Sequence, residues 1–216
     1  MNGLYGAWRT QVQRAVLLLL LCAISLPALA ASAPERTVLV LGDSLSAGYG
    51  LAANQGWVSL TARKLRASHP GWRLVNASIS GETTSGGAAR INAEIGRNHP
   101  SVIVIELGAN DGLRGLDLRQ MQGNLDTIIR AGLRAHAKVL LIGMRMPPNL
   151  GRQYTQGFEQ NYLILSRRHP IAFLPFLLAP VAADRNAFQA DDLHPLASAQ
   201  PKLRDHVWKA LEPLLQ

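Results

Sequence analysis

Cysteine is almost absent from these 216 residues. The single one, Cys22, lies within the first thirty. If that segment is removed, disulfides, thiolate catalysis and cysteine-based zinc sites are excluded together, and packing alone must hold the chain. Acidic residues are also scarce, 14 against 22 Lys and Arg, for a formal charge of +8. The bases are dispersed (Arg63, Lys64, Arg66; Arg167, Arg168; Lys202, Arg204) rather than clustered with aromatics. That pattern reads as solvated helix faces and gives no footprint for nucleic acid, while the net charge leaves a weak pull toward anionic lipid surfaces. There is no internal repeat, no low-complexity linker and no phosphate loop of the form Gly-x-x-x-x-Gly-Lys-Ser/Thr. No cofactor or metal is expected, and a monomer is the expected state.

Long apolar runs are missing too. The one at Ala15 to Leu26 follows Arg9 and Arg14 and is too short for a comfortable membrane span. It ends in Ala28-Leu29-Ala30, a small-x-small cleavage site, so residues 1–30 read as a secretory signal peptide and 31–216 as the mature domain. The alternative is an uncleaved membrane anchor. Cys22 follows Leu20-Leu21, which are not the small residues a lipidation site wants. The mature protein would then be exported, to the periplasm or beyond.

What remains is rich in apolar residues, 48% of the chain, and long enough for one domain with a proper core. Short apolar runs at Thr37–Gly42, Arg73–Ile79, Ser101–Leu107, Lys138–Met144 and Ile171–Phe176 predict five strands. Between them, helical spacing predicts helices over Asn54–His69, Ser85–Asn98 (Ser85 as cap), Asp117–His136 and Tyr154–Arg168. Leu177–Ala190 is poorly patterned, and Pro195 is expected to open a last helix reaching Leu215. Strictly alternating strands and helices argue an α/β fold: a five-stranded parallel sheet between two helical layers.

In such sheets ligands bind outside the carboxyl ends of the strands. Ser44 stands just past the first strand, in Gly42-Asp43-Ser44. A lone turn serine would be a cap; a nucleophile needs a base. Of six histidines, His69, His99 and His169 precede prolines at helix ends and read as solvent-side punctuation, and His136 and His206 fall on helices. His194 also precedes a proline, but Asp191 lies three residues earlier, a spacing at which a carboxylate can hold Nδ1–H while Nε2 faces the serine. Asp192 competes for that role. Donors for a developing oxyanion are the backbone N–H of Ser44, the backbone N–H of Gly81 after the second strand, and the side-chain amide of Asn110 after the third. There is no Gly-x-Ser-x-Gly elbow around Ser44, which sets aside the common α/β-hydrolase arrangement.

Gly42-Asp43-Ser44-Leu45-Ser46, Gly81 in Ser78-Ile79-Ser80-Gly81-Glu82-Thr83-Thr84, Gly108-Ala109-Asn110-Asp111 and Asp191-Asp192-Leu193-His194-Pro195 together resemble the four signature blocks of the SGNH (GDSL) hydrolase family. Asn76–Thr83, Glu106–Gly115 and Arg145–Tyr154 are similar to its bacterial periplasmic thioesterase, arylesterase and lysophospholipase branch. The resemblance implies a flavodoxin-like three-layer α/β/α sandwich. It also implies Ser44 as nucleophile, His194 as base, Asp191 as its orienter, and Ser44, Gly81 and Asn110 as oxyanion hole. Ala109 and Asp192 depart from it, standing where relatives often carry glycine.

The expected reaction is hydrolysis of acyl esters and thioesters through an acyl-serine, on a small-molecule acyl ester or lysophospholipid. Leu113, Met146, Pro147 and Tyr154, with Leu116, Met144, Pro148 and Leu150, are candidates for an apolar acyl groove. Two other readings stay open: a carbohydrate O-acetylesterase on the same scaffold, and a lipid-binding protein with a dormant triad.

Overall fold

A computed structural model of the protein describes residues 35–216, which form one compact unit. The expected signal segment, its cleavage site and Cys22 lie outside the described residues. Five strands, β1 (Arg36–Gly42), β2 (Trp72–Asn76), β3 (Val102–Glu106), β4 (Lys138–Ile142) and β5 (Ala172–Leu174), make a wholly parallel sheet in the order β2-β1-β3-β4-β5. The helices are α1 (Ser44–Ala47), α2 (Trp57–Ser68), α3 (Thr84–Asn98), α4 (Ala109–Leu113), α5 (Leu118–Arg134), α6 (Arg152–Arg168) and α7 (Gln200–Leu211). The chain leaves β1 toward one edge for β2 and then crosses back to β3. With right-handed crossovers this places α2 on one face and α3, α5 and α6 on the other. Accordingly α2 packs on α7, α3 on α5, and α5 on α6.

The middle strands carry near-continuous aliphatic runs because helices cover both faces. Val38–Leu41, Val102–Ile105 and Val139–Ile142 are all buried, and Leu65, Ile91, Leu125, Ile128, Phe158 and Leu165 close on them from the helices. Register sets the site: Gly42 at the end of β1 lies beside Glu106 at the end of β3. The point where strand order reverses, between β1 and β3, is therefore where both strands deliver polar residues, as in other doubly wound sheets.

Several expected boundaries move. Thr83, not Ser85, caps α3, its hydroxyl accepting from Gly86 N. Strand β5 is only three residues long, and α6 begins two residues before Tyr154. Pro195 does not open the last helix. It bridges to Phe188, and α7 begins at Gln200 with Pro201 in its first turn. The cause is Gln200, a buried residue whose amide donates to Pro195 O at 3.1 Å and accepts from Trp57 N at 2.9 Å. His136 is past the end of α5 in a left-handed turn, φ 59°, rather than on the helix. His169 is not solvent-side: largely enclosed, it bonds Asp126 at 2.7 Å and ties α6 to α5.

Candidate active site

The turn after β1 shapes everything that follows. Asp43 is fully buried and caps the short helix α1, its Oδ1 accepting from Leu45 N at 3.0 Å. Ser44 is thereby the first residue of that helix, with its side chain at the sheet edge. His194 arrives from the far end of the chain with Nε2 2.8 Å from Ser44 Oγ. Its Nδ1 lies 2.6 Å from Asp191 Oδ2. The other carboxylate oxygen of Asp191 accepts from Leu193 N at 2.9 Å and His194 N at 3.0 Å, so the loop wraps around its own carboxylate. Partial desolvation works against the charged form of Asp191. The His194 backbone N–H, the His194 ring and the Leu193 N–H outweigh it and hold the carboxyl down at about 2.

Asp192 is exposed and sits at φ 57°. That backbone conformation favours glycine or, among other residues, Asn and Asp. It accounts for the glycine expected there and turns this side chain away from the role its neighbour takes.

Two buried carboxyls stand behind the serine. Burial pushes Asp43 up to about 6, against the pull of the Leu45 N–H, His194 and Asn110. Glu106 is raised well above the usual carboxylate range by burial and by the Asp43 charge beside it. Its Oε2 accepts the Ser46 hydroxyl at 2.6 Å. Neither was singled out from the sequence. The signal for Glu106 was there: an acid ending a strand of otherwise unbroken aliphatics, Val-Ile-Val-Ile-Glu, must be buried and must have a reason. Asp111 is a third such residue. Its carboxylate takes Thr84 N at 2.8 Å and Thr84 Oγ1 at 2.6 Å, and so clamps α4 to the start of α3.

Asn110 lies on the short helix α4 rather than in a loop. Its Nδ2 donates to Glu82 O at 3.0 Å and, more loosely, to Asp43 Oδ2 at 3.3 Å. Gly81 sits in the left-handed region, φ 81°, which only glycine adopts without strain. Its carbonyl accepts from Arg114 Nη2 at 3.0 Å. Among the described residues its backbone N–H has no backbone acceptor. Two side chains one turn apart on α4, Asn110 and Arg114, thus hold the Gly81-Glu82 segment, and Arg90 grips Glu82 from α3.

Ser44, Asn110 and His194 line one cavity of about 450 Å³. Leu113, Met144, Met146, Pro147 and Pro148 line it as expected; so do Phe176, Leu178, Ala182 and Phe188 from the stretch that showed no pattern. Tyr154 does not. Its hydroxyl donates to Gly112 O at 3.2 Å and Leu116 O at 3.3 Å, bracing the segment after α4 from outside. Leu150 is with it, at a separate depression, and Leu116 is likewise absent from the cavity wall. Tyr49, not anticipated, tilts its ring over His194 with centroids 4.6 Å apart. Among the described residues no group of three or more His, Cys, Asp or Glu is placed to hold a metal ion.

The comparisons with known proteins agree with this geometry. Residues 40–200 match the model of the GDSL-like lipase/acylhydrolase family. The chain is 43% identical over 198 residues to the esterase TesA of Pseudomonas aeruginosa, covering 92% of this chain and 98% of that one. It is 38% identical over 184 residues to thioesterase 1/protease 1/lysophospholipase L1 of Escherichia coli, covering 85% and 87%. Among solved structures, the psychrotrophic esterase EstA of a Pseudoalteromonas species, inhibited by monoethylphosphonate, superposes with a TM-score of 0.80 at 38% identity, covering 84% of this chain and 99% of that one.

Proposed function

The chain belongs to the GDSL-like lipase/acylhydrolase family, and from that premise we propose that it is a serine hydrolase of acyl esters and thioesters, with Ser44, His194 and Asp191 as its triad. One observation carries the reading: the unbroken chain Ser44 Oγ, His194 Nε2, His194 Nδ1, Asp191 Oδ2, at 2.8 and 2.6 Å, at the wall of an apolar cavity. His194 Nε2 takes the serine proton as Oγ bonds to the carbonyl carbon. The alkoxide that forms is met by the N–H groups of Ser44 and Gly81 and by Asn110 Nδ2, which gives up its longer bond to Asp43 for the oxyanion. His194 then returns the proton to the departing alcohol or thiol, and water repeats the sequence to free the acid. Asp191, acid-strengthened to about 2, stays ionised throughout and supports the imidazolium.

The substrate follows from the cavity and the compartment. The cavity wall is largely aliphatic, aromatic and thioether, which suits an acyl chain better than a sugar O-acetyl group. Residues 1–30 read as an export signal, so lipid esters such as lysophospholipids are the working substrates, and acyl-CoA, a cytosolic metabolite, is turned over only when supplied. Amino-terminal sequencing of the exported protein should begin at Ala31; a start at Met1 would sink the export reading. The test of the chemistry is a burst of p-nitrophenol from a long-chain ester. Ser44→Ala should lower kcat by about 10⁶-fold. A variant that keeps the burst, or a wild type that binds lipid and hydrolyses nothing, would overturn the reading.

A further inference from the structure

Among the described residues, six large apolar side chains keep more than a third of their surface exposed: Tyr49, Ile79, Leu113, Leu116, Leu193 and Leu196. Scattered singly they would need no explanation. They are not scattered. Tyr49 and Ile79 follow β1 and β2, Leu113 and Leu116 follow β3, and Leu193 and Leu196 flank His194. All six are on the edge that carries Ser44. Leu113 and Leu193 line the cavity itself, and Tyr49 lies over His194. The helix faces and the opposite sheet edge present no side chain of this class.

The charges at the same edge are lopsided. Arg114 and Arg152 are exposed, and among the described residues no carboxylate lies within ion-pair distance of either. Arg145 shares Glu159 at 3.4 Å. The acids nearby are withdrawn: Asp43, Glu106 and Asp111 are buried, Asp191 is held by His194 and Glu82 by Arg90. Only Asp192 opposes them in the open.

We propose that this apolar collar with its unopposed arginines is a docking face for an anionic lipid leaflet. The leucines and Tyr49 enter the acyl boundary, the arginines meet the headgroups, and an acyl chain slides from leaflet to cavity without crossing water. This rests on the esterase reading for its purpose but not for its test. Ser44→Ala protein is sedimented with vesicles of phosphatidylcholine alone and of phosphatidylcholine and phosphatidylglycerol in equal parts. It should bind the mixed vesicles preferentially, less so in high salt, and adding Leu116→Ser with Leu196→Ser should weaken that binding by about tenfold. With Ser44 intact, the same two leucine changes should leave hydrolysis of a soluble short-chain ester unchanged, since neither residue touches the triad or the cavity, and that turnover also shows the variant is folded. Docking is overturned by absent binding, by equal affinity for the two vesicle types, by binding that the leucine changes do not weaken, or by a dimer that the same changes dissociate, which would make the face a contact between copies. Binding that behaves as expected in a protein whose wild type hydrolyses no ester would leave the docking face standing and sink the esterase reading instead.

Discussion

Two adjacent aspartates show how much one backbone angle decides. Asp191 and Asp192 have the same chemistry, and either could stand near His194 on spacing alone. The turn puts Asp191 Oδ2 against the ring at 2.6 Å and sends Asp192 out to solvent at φ 57°. Asp191→Asn should lower kcat by about 10⁴-fold, because an amide cannot hold the imidazole tautomer or stabilise its cation. Asp192→Asn should leave steady-state turnover nearly unchanged, since Asn tolerates the same left-handed conformation. Rates that follow the opposite order would reassign the orienting carboxylate. The Asp191 shift also has a stability consequence. Its folded-state value is depressed, so its contribution is present above about 3.8 and is lost as pH falls through about 2.

At the scale of the element, the β1–α1 junction carries a cost of the opposite sign. Asp43 caps α1 from a buried position and its pKa is raised to about 6. Between about 3.8 and 6 the folded chain holds a proton that the unfolded chain has released, so stability falls as pH rises through that window and stays lower above it. Glu106, raised by the same burial and by Asp43, acts in the same direction. The penalty for ionised Asp43 at neutral pH is on the order of 3 kcal/mol. Asp43→Asn keeps a capping oxygen and removes the buried charge. It should raise the urea midpoint at pH 7 and flatten the stability profile between pH 4 and 6. It should also slow turnover, because the charge it removes faces both His194 and Asn110. A midpoint that drops on this substitution would mean the carboxylate is net stabilising where it sits.

Across the whole molecule, the problem is to bring a serine near the start of the domain and a histidine near its end to one edge. The sheet does most of this by ending β1, β3 and the loop beyond β5 on the same side. The last adjustment is made by Gln200, whose amide joins the start of α2 to the carbonyl of Pro195, one residue past His194. Removing it leaves Trp57 N and Pro195 O buried without partners. Gln200→Ala should therefore cost about 1–3 kcal/mol and lower Tm by about 2–10 °C. It should depress kcat more than KM, since the histidine loop loses a brace while the acyl cavity keeps its walls. Calorimetry and steady-state kinetics on the one variant check both parts.

The alternation of aliphatic strands with amphipathic helices, and the polar blocks that interrupt it at Ser44, Gly81, Asn110 and Asp191–His194, determined the layered parallel fold and its site-bearing edge. Those are consequences of local pattern, since a strand buried on both faces must be apolar and a ligand-bearing turn must be polar. The tertiary structure alone decided what depends on two distant segments meeting. It turned Asp43 and Glu106 into a buried carboxyl pair, gathered Phe176, Leu178 and Phe188 into the cavity, removed Tyr154 from it, and laid Tyr49 over His194. None of these has a local signature, because burial, pKa and cavity shape belong to neighbours in space. The same reason displaced Pro195 from the start of the last helix: its carbonyl is claimed by Gln200, a partner that local helix rules do not see.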